Sequence, residues 1–285
     1  MRRPCWERRP AAGLPLTPHH LAQVFDQRIA TYADRTALRS RAADGWRDIS
    51  WQALGEQAQA VANALVDAGV GAGDRVGIWS GNRPEWTIAD LGCLRACAVS
   101  VPIYSTSTTS QAAYLVDDAE VGVLFVGTQA QYDKARSLLG TCPSLRLIVI
   151  CDPAVAADAP QAVSFAEFVA RGRAAGHDAE LEARLSRSSP DDLVTLIYTS
   201  GTTGEPKGVM LAHASFLATT GFHDLRLPAT GEQDVSLCFL PLAHVFERAW
   251  TYYALHRGMT VCYCDDPAKV IEVMQEVQPT VMCAV

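Results

Sequence analysis

Apolar residues recur along this chain at two alternating periods, one helical and one strand-like. Leu21, Val24, Phe25 and Ile29 lie at helical spacing. Thr36–Arg39 and Arg47–Ser50 flank Asp44-Gly45, a hairpin signature. Ser50 reads as the N-cap of a helix whose stripe is Leu54, Ala58, Val61, Leu65 and Ala68, and Gly69 stops it. Arg75–Trp79 then reads as a buried strand, Pro84 opens a helix to about Ala98, and Val99–Tyr104 is a second strand. Thr108 with Gln111 forms a capping box before a helix ending near Asp118. Val121–Val126 and Arg146–Ile150 are expected as strands, with a helix over Gln129–Leu139 between them. Apolar strands alternating with amphipathic helices predict an α/β fold with a mostly parallel sheet and helices outside it.

Residues 152–190 break the rhythm. They are Ala-rich with weak helices at Phe165–Arg171 and Glu180–Leu185, and are expected as a connector between two sheet-building halves. Strands are next expected at Leu193–Ile197, Val209–Leu211, Val235–Leu240, Thr260–Cys264 and Thr280–Ala284. Helices are expected from Ser215, over Ala243–His256 and over Ala268–Val277.

The chemistry concentrates after the Leu193–Ile197 run, in Tyr198-Thr-Ser-Gly-Thr-Thr-Gly-Glu-Pro-Lys-Gly208. Gly201, Gly204 and Gly208 allow close backbone approach to a ligand, and consecutive N–H groups form an anion-binding concavity. The hydroxyls of Thr199, Ser200, Thr202 and Thr203 add donors, and Lys207 adds a point charge suited to phosphate oxygens. A Ser/Thr/Gly-rich stretch alone also fits a surface linker. The charge distribution favours the phosphate cradle. The chain has 3 lysines against 21 arginines, and Lys207 is the only cation between Arg187 and Arg226. The P-loop pattern G-x-x-x-x-G-K-[ST] fails, because Pro206 and Gly208 flank the lysine.

Composition narrows the classes. With 285 residues and 49% hydrophobic positions the chain can bury a sizeable core, and a net charge of −7 argues against a nucleic-acid surface. Nine cysteines, an odd number without the paired spacing of a zinc site, together with no signal peptide, point to reduced thiols in a cytoplasmic protein. Arg2, Arg3, Arg8 and Arg9 are followed by Pro10, Pro15 and Pro18 and no apolar run, so residues 1–20 are expected as a disordered leader. Contact with a membrane is expected to be peripheral, at its inner face, because no apolar run is long enough to span a bilayer. Gly77-Ile-Trp-Ser-Gly81 lacks the spacing of a nucleophile elbow, which argues against a serine hydrolase.

Thr199–Gly208 resembles, at every position, the T-S-G-[ST]-T-G-x-P-K-G loop of the adenylate-forming enzymes. Leu240-Pro-Leu-Ala-His-Val-Phe-Glu-Arg248 is similar to the block that follows it in long-chain fatty acyl-CoA synthetases. The resemblance, from about Leu21 to Val285, implies the N-terminal part of the AMP-binding domain, with its C-terminal portion missing. It implies activation of a fatty acid by ATP with Mg2+, followed by transfer to coenzyme A. Lys207 and Thr202 would be catalytic, and Thr199, Ser200, Gly201, Thr203 and Gly204 would complete the phosphate site. Lys207 is the loop lysine, distinct from the lysine of the family's mobile C-terminal domain. The adenine, ribose and hinge motifs would lie outside the chain.

Other residues carry two readings each. His244 is a helix cap by position and, by resemblance, a residue at the mouth of the acyl pocket. His244 and Glu247 form H-x-x-E, yet two ligands without a third make a poor metal site. Glu247 and Arg248 read as local salt-bridge formers, and Tyr252 and Tyr253 as core or acyl-tunnel residues. Asp74-Arg75 and Arg83–Trp86 read as packing features. Aryl or amino acids remain alternative substrates, and a non-catalytic phosphate-binding fragment is the alternative for the isolated chain.

Overall fold

The computed structural model describes residues 18–42, 45–199 and 205–285. Of the expected leader, residues 1–17 lie outside that range, whereas His20 is buried and caps the first helix. Helix α1 (Leu21–Tyr32) leads into strands β1 (Thr36–Ala42) and β2 (Gly45–Ser50), an antiparallel hairpin longer than its sequence signature. Asp44 of the expected turn lies outside the described residues; Gly45 takes φ 127°, open to glycine alone. Helix α2 (Trp51–Asp67) starts where Ser50 Oγ accepts from Ala53 N at 3.1 Å. It ends in a Schellman motif, with Gly69 N donating to Val66 O and Val70 N to Leu65 O.

The parallel unit follows as β3 (Arg75–Trp79), α3 (Pro84–Arg95), β4 (Val99–Ile103), α4 (Thr109–Asp118), β5 (Val123–Val126), α5 (Gln129–Leu138) and β6 (Leu147–Ile150). Both halves of the Thr108–Gln111 capping box form. Residues 152–190, expected as a connector, carry β7 (Ala162–Ser164), α6 (Phe165–Ala175) and α7 (Asp178–Ser186), with β7 parallel to β6 at the sheet edge. The chain continues with β8 (Leu193–Thr199), β9 (Lys207–Ala212), α8 (His213–Arg226), β10 (Val235–Cys238), α9 (Val245–His256), β11 (Thr260–Tyr263) and α10 (Val270–Val277).

Two sheets result. One has the order β7-β6-β5-β3-β4-β8-β9 and is parallel except for the final β8/β9 pair. The other has the order β10-β11-β1-β2 and is parallel except for β1/β2. The near-continuous apolar runs of β3, β5 and β6 reflect burial on both faces of the larger sheet. Val123 and Phe125 enter one core, shared with α2, α3 and α6. Leu124 and Val126 enter the other, shared with α4 and α5. The expected strand Thr280–Ala284 does not form. Thr280 and Val281 hydrogen-bond to Val235 and Leu237 of β10, and Val281 bridges Ser236. Among the described residues no backbone partner follows Val281, and Met282 and Val285 are exposed, so the run stays irregular. No helix among the described residues is long and apolar enough to cross a membrane.

Helix α6 lies so close to α2 that a Cβ on Gly172 would stand 1.7 Å from Ala60 O. Gly172→Ala is therefore expected to cost about 1–3 kcal/mol in urea unfolding. Gly140→Ala, with open space around it, should be close to neutral.

His20 and His213 join α1 to α8, their ring centroids 3.6 Å apart. His213 Nδ1 accepts from Leu21 N and His20 Nδ1 from Ala22 N, both at 3.2 Å, so each neutral ring carries its proton on Nε2. Burial, aided by His213 and His19, lowers His20 to about 3, although Asp192 opposes this; burial and His19 lower His213 to about 4. The unfolded chain thus binds more protons below pH 6.5, and stability falls as pH drops toward these values. Glu247, raised to about 7 by burial, acts in the opposite direction between pH 7 and 4.5. Subtracting the double variant His20→Asn/His213→Gln from the wild type cancels that contribution. From pH 7 to 4.5 the wild type should lose more stability than the variant; equal slopes would exclude this role.

Candidate active site

Strand β8 runs parallel to β4, so Thr199 leaves the larger sheet at the carboxyl ends of its parallel strands, where open α/β sheets receive ligands. Strand β9 returns antiparallel, with Thr199 opposite Lys207 and Tyr198 opposite Gly208. The structure thereby brings together the two ends of the phosphate-loop signature. Ser200, Gly201, Thr202, Thr203 and Gly204 lie outside the described residues. Lys207, exposed, opens β9.

Aromatic residues fix the base of this hairpin. Tyr198 OH donates to Asp118 Oδ2 at 2.5 Å, and burial together with that carboxylate pushes the phenol pKa well up. Tyr114 meets Tyr198 edge-on, with centroids 6.4 Å apart, and its hydroxyl donates to Pro206 O at 3.2 Å. A Cβ on Gly208 would stand 3.2 Å from the Tyr198 ring, so glycine there serves close packing against Tyr198.

His244 occupies a separate element. It caps α9, its Nδ1 accepting from Phe246 N at 3.2 Å, and its side chain is exposed. The turn that carries it is held from β3's side. Asn82 Nδ2 donates to Leu240 O at 2.8 Å, and Asn82 Oδ1 accepts from Leu242 N at 3.0 Å. Glu247 Oε2 accepts from Leu240 N and from Cys283 Sγ, each at 3.2 Å. Glu247 is fully buried, and burial raises its carboxyl to about 7 although the hydrogen bonds from Cys283 and Leu240 oppose this; its Oε1 has no hydrogen-bond partner.

The expectation that Glu247 and Arg248 pair locally is incorrect. Arg248, completely buried, donates from Nη2 to Asp90 Oδ1 at 2.5 Å and from Nε to Asp90 Oδ2 at 3.1 Å, across 158 residues of sequence. Its Nη1 reaches Thr195 Oγ1 at 2.7 Å on β8, and Nη2 reaches Ser100 Oγ at 2.6 Å on β4. Tyr252 is core: its hydroxyl donates to Asp90 Oδ2 at 2.5 Å. Tyr253 is also core, its hydroxyl 2.7 Å from Thr230 Oγ1. Burial opposes the Arg248 charge, but Asp90 and Tyr252 outweigh it and its pKa rises.

Arg83 ties the carboxyl ends of β5 and β6 together, donating to Gly127 O at 2.6 Å and Cys151 O at 3.4 Å. It lines a cavity of 680 Å3 between the two sheets with Ser80, Thr128, Asp152, Arg41 and Tyr263. A second cavity, of 570 Å3, opens at the amino ends of β4 and β8 beside His20 and His213. Thr199, Lys207 and His244 line neither.

Among the described residues no group of three His, Cys, Asp or Glu side chains could hold a metal ion. His244 and Glu247 do not converge on one, the first being exposed and the second fully buried.

The AMP-binding enzyme family matches over residues 25–285. A long-chain-fatty-acid–CoA ligase, FadD15 of Mycobacterium bovis, is 37% identical over 253 residues, covering 87% of this chain and 40% of that protein. The peroxisomal long chain acyl-CoA synthetase 7 of Arabidopsis thaliana is 33% identical, covering 92% of this chain and 38% of that protein. The chain thus spans about two-fifths of these relatives' length. The fold matches the anthranilate CoA ligase AuaEII in complex with anthranoyl-AMP, at TM-score 0.80 and 24% identity, over 94% of this chain and 50% of that one. It also matches a long-chain-fatty-acid-CoA ligase, FadD1 of Archaeoglobus fulgidus, at TM-score 0.76 and 17% identity, over 96% of this chain and 53% of that one. By its family match, its relatives and its fold, the chain belongs to the AMP-binding, adenylate-forming enzymes.

Proposed function

We propose that this chain supplies the phosphate-handling half of a fatty acid–CoA ligase. The reaction joins a long-chain fatty acid to ATP as an acyl-adenylate, releases pyrophosphate, and passes the acyl group to the thiol of coenzyme A. The observation that carries the reading is the cross-strand pair Thr199–Lys207, the two described ends of the hydroxyl- and glycine-rich signature, at the carboxyl end of β8. As the carboxylate attacks the α-phosphate, negative charge grows on the departing pyrophosphate. Donors already aimed at the β- and γ-phosphates stabilise that charge most in the transition state. Lys207 and Thr202 act there, with Thr199, Ser200, Thr203 and the N–H groups of Gly201 and Gly204 completing the cradle. His244, at the exposed start of α9, faces the acyl substrate. Magnesium enters this reading as the counter-ion of ATP.

The long-chain preference draws on the named activity of the relatives and on the His244–Arg248 block. An aryl substrate is the second reading, favoured by the fold match to an anthranilate ligase. The eight free cysteines among the described residues, seven of them buried, support a reducing, cytoplasmic setting. Any membrane contact is peripheral in this reading. The isolated 285-residue chain binds phosphates without completing thioester synthesis, and acyl-CoA formed by the purified chain would refute that statement.

Calorimetric titration with MgATP tests the cradle. Lys207→Ala should weaken binding roughly 10- to 100-fold, the loss of one charge-assisted contact; unchanged affinity rejects the role. Palmitoyl-sulfamoyl adenosine should bind more tightly than its benzoyl counterpart, and the reverse order favours the aryl reading.

A further inference from the structure

We infer that the buried cluster Asp90, Ser100, Thr195, Arg248 and Tyr252 is a positioning device that fixes the strand carrying the phosphate loop relative to the helix capped by His244. The inference rests on the proposed function for its catalytic meaning, but the mechanical coupling stands on the geometry.

Strands β3 and β4 run in register from Arg75 opposite Val99 to Trp79 opposite Ile103. By contrast, β8 pairs with β4 only at Ser100 opposite Thr195. The two strands lie side by side, but their backbone ladder registers at this one pair, and that pair is where the side chains cross. Thr195 Oγ1 donates to Ser100 O at 2.7 Å, and Ser100 Oγ donates to Val194 O at 3.3 Å. Each hydroxyl thus stitches its own strand to the other's backbone while accepting from one guanidinium. Arg248 donates to Thr195 with Nη1 and to Ser100 with Nη2. The planar fork fixes where these two hydroxyls stand, which a lysine ammonium would not do.

Arg248 sits in the first turn of α9, its N–H donating to His244 O at 3.2 Å. Thr195 stands four residues before Thr199 on β8. One guanidinium thus lies a helical turn from His244 and a short stretch of strand from the loop's first hydroxyl. Its charge is answered by Asp90 of α3 and walled by the rings of Trp86, Phe216 and Tyr252, 5.4–5.9 Å away. Arg248, Asp90 and Ser100 are at most 1% exposed, as is Thr195, so water cannot substitute for a lost partner. A shift of α9 drags the guanidinium off β8, and a shift of β8 leaves Nη1 of Arg248 and the hydroxyl of Ser100 without their acceptors, Thr195 Oγ1 and Val194 O. The two site elements move as one.

Thr195→Val separates this role from the ion pair, since it keeps the side-chain shape and leaves Asp90, Arg248 and Tyr252 in contact. Amide hydrogen exchange should accelerate at least tenfold at Tyr198, Thr199 and Val209, and also at Phe246 and Arg248 in the first turn of α9. Rates in β5 and β6 should stay at wild-type values. Thr195→Ser, which restores the hydroxyl, should return both regions to wild-type exchange. Acceleration in β8 with α9 unchanged overturns the coupling, as does wild-type exchange throughout. Should Thr195→Val not fold, Ser100→Ala is read in the same way. MgATP titration then separates the two readings. If the wild type binds and Thr195→Val binds at least fivefold more weakly with rescue by Thr195→Ser, the cluster positions the loop for its ligand. Equal affinity overturns that positioning role. A wild-type chain that does not bind MgATP overturns the phosphate-loop reading, while the exchange rates still decide the coupling.

Discussion

A guanidinium without access to water must find every partner inside the protein, and that demand on Arg248 organises the structure. Buried ion pairs add little net stability over well-packed apolar residues, because desolvation offsets most of the attraction. What they supply is discrimination: misplaced partners leave an unanswered charge. Arg248 accepts only an arrangement in which α3 delivers Asp90, β4 delivers Ser100, β8 delivers Thr195 and α9 returns Tyr252. Apolar packing alone would tolerate a slip of β8 along β4; this set of hydrogen bonds does not.

The same logic grades the structure from floor to rim. The interior of the larger sheet is held by apolar alternation, with Val123 and Phe125 on one side and Leu124 and Val126 on the other. At the carboxyl ends of the strands polar ties take over. Arg83 spans Gly127 and Cys151, Asn82 holds Leu240 and Leu242, and Tyr198 reaches Asp118. These ties fix loop origins, and fixed origins are what a preorganised site requires.

Much of this was legible in the sequence because it is local. The Ser50 cap, the Gly69 stop and the Thr108–Gln111 box depend on residues within a turn of each other, and each formed where it was expected. The family resemblance of Thr199–Gly208 was legible because ten contiguous residues carry it, and the described ends of the segment pair as a hairpin. Strand β7 was missed because Ala162-Val163-Ser164 is too short to show a period, and only β6 beside it makes it a strand. The terminal apolar run was misread for the converse reason: Thr280 and Val281 find β10, and the residues after them find no backbone. Arg248 was misread because its partner lies 158 residues away. A signal was present nonetheless. Ser100, Thr195 and Asp90 each interrupt an apolar run, in Val99-Ser-Val, Val194-Thr-Leu and Ala89-Asp-Leu. Polar residues at the centre of buried elements need partners, and Arg248 answers all three.

The antiparallel return of β9 then has a physical reason. A parallel neighbour would require a crossover after β8 and would separate Thr199 from the lysine that follows the glycines. A hairpin brings both ends of the signature back to one register, and Pro206 fixes the backbone just before Lys207. The consequence is an edge strand with Val209 and Met210 exposed. That edge cannot draw on packing from both faces, as β5 can, so its placement depends on what β8 transmits to it. Strand β8 in turn takes its position from Ser100 and Arg248. The lysine at the rim is thus positioned, link by link, by an arginine that never meets solvent.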